Sequence, residues 1–354
     1  MSAAKTGTLL AVIALIIGLV IGIGVGYGVW GAAPAKTVTV TTTVTGTAPP
    51  PGKPEFTFYY VSHGGPADPW WAPVIKGAQD AAKLLNVKVV YLGPEKFSIE
   101  KLVDLLESAI AAKPDGIICT ITSYEALDEP LRRAIKQGIP VLAVNVPDPR
   151  PKGERIPYLG YIGQDEYEAG YKLAKAALEE FKKIKGRPPK LAVIGIHEPG
   201  HVGLEMRAKG IQDAFKEEGL PVPEKLDITT DPTKALELLK SYLAAHPDVE
   251  IIFTLGPLGA HPAMQLIREQ GLKDKVYVAT VDVDDKILEG IKEGIMLVAI
   301  SQQPYAQGFL PVVFMYLYVK YGIMPPEHVP TGPTPITKEL LSIVEKQIET
   351  TGGA

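Results

Sequence analysis

The chain is predicted to be an α/β protein built from two doubly wound parallel-sheet lobes, preceded by a transmembrane helix. Three observations carry this. Short apolar, β-branched runs alternate with amphipathic segments of helical length, at intervals of about 30 residues. The alternation runs through two successive series, and about 300 residues lie beyond the N-terminal segment, more than one hydrophobic core usually supports. Ahead of them, Gly7 to Gly31 is apolar and uncharged, longer than the roughly 20 residues a helix needs to cross a bilayer.

Lys5 and Lys36 flank the apolar run almost symmetrically, so charge does not orient it. The composition beyond it does. Thr37 to Thr47 holds seven threonines in eleven residues, and Pro49, Pro50, Pro51 and Pro54 come next. Such a composition cannot bury a core and reads as an extended extracellular stalk, with room for O-glycosylation. Val38, Val40 and Val44 alternate with threonine and could instead form a strand, but the prolines argue against it. No cysteine stands just after the run to accept a lipid, and Ala32-Ala33-Pro34-Ala35 only loosely resembles a signal-peptidase site. A retained anchor over 1–35 and a stalk over 36–54 are the expectation. Gly18, Gly22 and Gly26 have the small-xxx-small spacing of packed membrane helices.

The first series of strands is expected at Phe56 to Val61, Val87 to Leu92, Gly116 to Ile121 and Ile139 to Val144. The second is expected at Leu191 to Ile196, Lys225 to Thr229, Ile251 to Leu255, Val276 to Val281 and Met296 to Ser301. Near-continuous apolar runs of this length are the pattern of parallel strands buried on both faces. The lone cysteine, Cys119, lies within one of them and reads as a small core residue. With one cysteine no internal disulfide forms. A formal charge of −4 gives no basic footprint, so nucleic acid is not an expected partner.

In open parallel sheets, ligands bind beyond the carboxyl ends of the strands. The first strand runs into Ser62-His63-Gly64-Gly65-Pro66-Ala67-Asp68-Pro69-Trp70-Trp71, and later strand ends offer Asn145, Gln164-Asp165, His197 to Arg207, Asp282 and Gln302. Carboxylates, amides and an arginine hydrogen-bond hydroxyl groups, while adjacent tryptophans present flat faces to the C–H surfaces of a sugar. One tryptophan could equally pack in the core. A nucleotide enzyme is not indicated, because His63-Gly64-Gly65-Pro66 is not a G-x-G-x-x-G turn and no phosphate-binding loop follows any strand. His63, His197, His201 and His261 lack metal-site spacing, so neither metal nor cofactor is expected.

These residues carry a resemblance. Phe56 to about Pro335 resembles the periplasmic binding proteins of the ribose and glucose/galactose type, the sugar receptors of ABC importers. Its carriers are Asp68-Pro69-Trp70-Trp71, Lys113-Pro114-Asp115-Gly116-Ile117, Gly138-Ile139-Pro140-Val141, Gly163-Gln164-Asp165-Glu166 with Ala169-Gly170, and His246-Pro247-Asp248-Val249. Glu198-Pro199-Gly200-His201 followed by Arg207 looks like the loop and helix start that grip sugar hydroxyls in that family. The resemblance implies polar ligand contacts from Asp68, Asn145, His201, Arg207, Asp282 and Gln302, with Trp70 and Trp71 stacking.

Two departures bear on the ligand. Gly256-Pro257 stands where the family usually has an asparagine, and Asp231-Pro232 where relatives often have an aromatic residue. A polyol, a pentose or a decorated sugar fits such a pocket. The resemblance further implies three interlobe crossings, near Gly163 to Asp165, Gln302 to Pro304 and Thr331 to Pro335. These would divide the chain into an N-terminal lobe of 55–163 with 304–332 and a C-terminal lobe of 164–303 with 333–354.

The expected function is therefore a non-enzymatic, membrane-tethered extracellular receptor. It would capture a sugar or polyol by hinge closure and deliver it to the permease subunits of an ABC transporter. A co-receptor for sugar or autoinducer-type sensing is the alternative. A chemoreceptor would need an output module, and a repressor a helix-turn-helix head; neither is expected from the few residues before the apolar run or from the C-terminal helix.

Overall fold

A computed structural model describes residues 52–66, 70–95 and 98–353. The expected anchor, nearly all of the stalk and Asp68 lie outside these residues. No helix among the described residues is long and apolar enough to cross a membrane.

The strands are β1 (Thr57–Val61), β2 (Lys88–Leu92), β3 (Gly116–Cys119), β4 (Val141–Val144), β5 (Tyr161–Gly163), β6 (Leu191–Ile196), β7 (Glu224–Asp227), β8 (Val249–Thr254), β9 (Tyr277–Val281), β10 (Met296–Ser301), β11 (His328–Pro330) and β12 (Thr334–Ile336). The helices are α1 (Trp71–Leu85), α2 (Ile99–Ala111), α3 (Tyr124–Lys136), α4 (Glu166–Lys185), α5 (Val202–Glu217), α6 (Pro232–Ala245), α7 (Pro257–Glu269), α8 (Asp285–Glu293), α9 (Pro304–Tyr321) and α10 (Leu341–Thr351).

They form two six-stranded sheets of one design, ordered β2-β1-β3-β4-β5-β11 and β7-β6-β8-β9-β10-β12. The pairings are parallel except β10 with β12. Each sheet reverses its strand order beside its first strand, the point where an open α/β sheet leaves a crevice at the carboxyl ends. Every residue of β3, β4, β9 and β10 is buried, because helices cover both faces. In β6, Ile194 and Ile196 pack under α4 and α5, while Val193 faces the opposite layer of α6, α7 and α8. In the first sheet, Ile117 and Cys119 lie under α2 and α3, while Ile118 lies under α1 and α9. Burial pushes the Cys119 thiol up to about 12, which makes it an inert core residue.

Local sequence starts and stops these helices. Ser98, Ser123, Asp165, Asp231 and Asp284 each accept a backbone N–H of the first turn, a cap contributing about 1 kcal/mol. Asp231 is thereby used as a cap. Gly186, Gly294 and Gly322 end α4, α8 and α9 in the left-handed conformation.

The expected strands differ from the observed ones by a few residues at their ends, and β5, β11 and β12 have no counterpart among them. At three residues each, these strands are too short to show a period. They sit where the chain changes sheets: it leaves the first after Gly163, returns to it after Ser301, and leaves again after Pro330.

Candidate functional site

The carboxyl ends of both sheets open on one cavity of about 560 Å³. Trp70, Trp71, Asn145, His201, Arg207, Asp282 and Gln302 all line it, together with His63, Thr122, Glu166 and His197. Equivalent strands contribute equivalent chemistry. His63 follows β1 by two residues and His197 follows β6 directly; Asn145 and Asp282 directly follow β4 and β9; Gln164 and Gln302 directly follow β5 and β10.

Asn145 and Asp282 both hold left-handed backbone, with φ of 62° and 69°. Their short polar side chains tolerate this conformation better than most residues do. The bend turns each side chain off its strand and over the cavity.

Arg207 is 7% exposed. Its Nε and Nη2 donate to the two carboxylate oxygens of Glu166, at 2.5 and 3.0 Å, and Nη1 donates to the Leu255 carbonyl at 2.7 Å. The fork expected to grip ligand is thus largely committed to the protein. Of its five N–H groups, three are used, so at most two can reach a ligand. Burial of the guanidinium demands a counter-charge, and Glu166 supplies it. Burial opposes the charge on Arg207, but Glu166 and Asp282 outweigh it and raise its pKa.

Helix packing sets up this pair. A Cβ on Gly170 of α4 would stand 1.9 Å from the Arg207 carbonyl oxygen, and one on Gly210 of α5 would stand 2.2 Å from that of Tyr167. Glycine at both positions lets the helix backbones touch, which brings Glu166 in the first turn of α4 within reach of Arg207. In the other half of the molecule, Gly77 of α1 and Gly308 of α9 allow a comparable contact.

Asp282 accepts from Gln302 Nε2 at 2.5 Å and from the Trp70 side chain. Trp70 precedes a helix of the first sheet and Asp282 follows a strand of the second, so this bond spans the cleft. Burial raises the Asp282 pKa, against the lowering effect of Arg207 and of its two hydrogen bonds. Asn145 Nδ2 donates to Gln307 Oε1 at 3.0 Å, and Gln307 Nε2 donates to the Gln302 carbonyl at 3.1 Å. Tyr161 Oη donates to the Asn145 and Gln164 carbonyls.

Trp71 has two roles: it is 2% exposed, packed among α1, β1 and α9 residues, and it also lines the cavity. His63 stands edge-on to it at 4.9 Å, and Trp70 at 4.7 Å. His201 caps α5, its Nδ1 accepting from the Leu204 N–H at 3.4 Å. Burial, with His201 adding to it, pulls His63 down to about 4. Burial, then Arg207 and His201, does the same to His197. His261 lies elsewhere, against Asp284 at 2.7 Å. Among the described residues, no group of three or more histidine, cysteine or carboxylate side chains is arranged to hold a metal ion.

Thr122 Oγ1, His197 Nδ1 and Gln302 Oε1 are buried with no hydrogen-bond partner. Such an atom costs about 1–3 kcal/mol until something satisfies it, and all three residues line the cavity. Glu166 balances Arg207, His63 and His197 are neutral at pH 7, and Asp282 and Glu198 add carboxylates, so the lining offers hydroxyl groups donors and acceptors and has no positive excess for an anion. Glu166, His63, His197 and Thr122 are not among the contacts expected from the sequence. Their signal is positional, since each follows a strand end or opens the helix after one.

Two doubly wound halves that turn their strand ends toward one polar cleft define a bilobal ligand-binding protein. The chain belongs to the periplasmic binding protein domain family, which it matches over residues 58–322. It is 30% identical to the xylose/arabinose-binding protein XylF of Sulfolobus acidocaldarius over 301 residues, 81% of this chain and 72% of that protein. A carbohydrate transporter from Acidothermus cellulolyticus, solved with myo-inositol, superimposes with a TM-score of 0.71 at 30% identity, covering 84% of this chain and 99% of that one. A carbohydrate transporter solute-binding protein from Agrobacterium radiobacter, solved with D-arabinose, gives a TM-score of 0.71 at 27% identity, covering 84% and 98%.

Proposed function

We propose that this protein is the solute-binding component of an ABC sugar importer, capturing a neutral sugar or polyol and handing it to permease subunits. The observation that carries this reading is the shared cleft. It pairs two tryptophans with amide, carboxylate, imidazole and guanidinium groups, and leaves buried polar atoms that hydroxyl groups can satisfy. The ligands named for the relatives, a pentose pair and a cyclitol among them, support the same class.

The mechanism is closure. Residues 55–163 with 304–332 form one lobe and 164–303 with 333–354 the other, and the three sheet-to-sheet passages are the hinge. A ligand held by Asn145 and Trp70 on one side and by His201, Arg207, Asp282 and Gln302 on the other favours the closed state by its contacts to both. Asp68, two residues before Trp70 in the sequence, belongs to the same proposed set. The apolar run Gly7 to Gly31 tethers the protein to the membrane with the binding lobes outside.

Titration calorimetry of the purified chain against pentoses, hexoses and polyols tests the assignment. Saturable one-to-one binding of a neutral member, lost in Asp282→Ala, is the expected result. Heat from none of them would remove it. Retention in membrane pellets after a high-salt wash, lost on deletion of residues 1–35, tests the tether.

A further inference from the structure

Gln307 lies in the first turn of α9, just past the chain's second passage between the sheets, and is wholly buried. Its amide meets two partners of different kinds. One is the backbone carbonyl of Gln302, which can only accept; the other is the side-chain amide of Asn145, which can donate or accept. The carbonyl therefore sets the direction of both amides. Gln307 Nε2 must point to Gln302, at 3.1 Å, which leaves Oε1 for Asn145. Oε1 admits only a donor, so Asn145 turns Nδ2 to it, at 3.0 Å. Turning either amide over would set two acceptor oxygens against each other at hydrogen-bond distance.

This direction matters because Asn145 lines the cleft and Gln307 does not. With Nδ2 drawn back toward α9, Oδ1 is the atom of the Asn145 amide left to meet a ligand. Other contacts hold the Asn145 main chain: its backbone is left-handed at φ 62°, and Tyr161 Oη donates to its carbonyl at 2.7 Å. Neither decides which end of the amide faces forward, since oxygen and nitrogen exchange places when the amide turns over with almost no change in its shape. Gln307 does. Gln302 supports the same arrangement, because its carbonyl orients Gln307 while its own Nε2 donates to Asp282.

We propose that Gln307 is a positioning residue of the cleft: it holds the Asn145 amide with Oδ1 toward the ligand, so that Asn145 binds by accepting a hydroxyl O–H. This rests on the sugar-binding reading and deepens it, since it assigns the ligand a hydroxyl donor at this point. A carboxylate at position 145 separates orientation from packing. Both of its oxygens accept, so it needs no orienting, but one of them would oppose Gln307 Oε1.

The test is titration calorimetry on the full-length chain as wild type, Gln307→Met, Asn145→Asp and the double variant. The probe is whichever of D-xylose, L-arabinose, D-glucose, D-galactose and myo-inositol the wild type binds most tightly. Gln307→Met keeps the length of the side chain and removes both of its polar ends. It is expected to weaken the probe about tenfold or more, because presenting Oδ1 then strands the Asn145 N–H groups without a partner. In the Asn145→Asp background the same substitution is expected to raise affinity or leave it unchanged, since it removes the opposing oxygen.

Weakening by Gln307→Met in both backgrounds would mean that Gln307 acts through packing, and would overturn the proposal. A change of less than about threefold from Gln307→Met in the wild type, or a double variant that binds no probe, would do the same. Binding of no probe by the wild type would instead overturn the sugar-binding reading itself. Cooperative thermal melts establish that each variant is folded. If Gln307→Met is not, Gln307→Leu is judged by the same comparison of backgrounds.

Discussion

Arg207 shows how much of this site is held in place by partners rather than by contact with ligand. Its charge is buried, and Glu166 satisfies it from another helix. Removing one partner of such a pair leaves an uncompensated buried charge, at a cost of about 3–5 kcal/mol. Glu166→Ala should lower stability by that amount in urea unfolding and weaken ligand binding, although only its position after a strand end marks Glu166 in the sequence. The double variant Glu166→Leu with Arg207→Met should be more stable than Glu166→Ala alone. If it is less stable, the pair does more than neutralise itself. The histidines give a second prediction. In the folded state His63 and His197 titrate near 4, against about 6.5 when unfolded. Between those values the unfolded chain binds the extra protons, so the contribution of these groups is complete above pH 6.5 and declines as pH falls toward 4. Thermal melts of a His63→Gln, His197→Gln variant should show a shallower loss of stability across that interval. An unchanged slope would assign it to other groups.

The paired glycines of α4 and α5 operate at the scale of elements. Gly170 and Gly210 are single glycines within helical periodicity, which ordinarily cost stability, and nothing in their spacing announces a helix contact. Their value lies in a backbone contact that only the packed structure contains. Gly210→Ala would place a methyl group 2.2 Å from one backbone oxygen and 2.6 Å from a backbone nitrogen, so the helices must separate. A loss of about 1–3 kcal/mol is expected from overpacking of this kind. Because Arg207 lies one turn from the contact, ligand affinity should fall with it. Stability lost with affinity intact would mean that the helices, once separated, still align Glu166 with Arg207. The strands divide in the same way: β1 to β4 and β6 to β10 are visible as apolar runs in the sequence, most of them because helices bury both their faces. β5, β11 and β12 exist only because neighbouring strands hold them.

For the whole molecule, the prediction concerns shape. On the proposed hinge closure, a ligand bridging Asn145 and Asp282 would draw the two lobes together, so small-angle scattering should report a smaller radius of gyration with saturating ligand than without. The same radius in both states, with binding proven by calorimetry, would replace hinge closure with a preformed cleft. Asp282→Ala should abolish the ligand-dependent change, since it removes both the ligand contact and the bond to Trp70.

The sequence by itself determined the α/β class, the two successive strand series, and the chemistry waiting at the strand ends, because each is written in local periodicity or in a residue's distance from a strand. Seven of the eight residues expected to bind ligand line one cavity, with Asp68 outside the described residues. Only the tertiary structure decided which of their atoms are already engaged. That Arg207 is held by Glu166 and that Gln302 is held against Asp282 both depend on groups brought together from distant segments. Hydrogen bonds and close packing act over a few ångströms, and no spacing along the chain records which residues will come within that range.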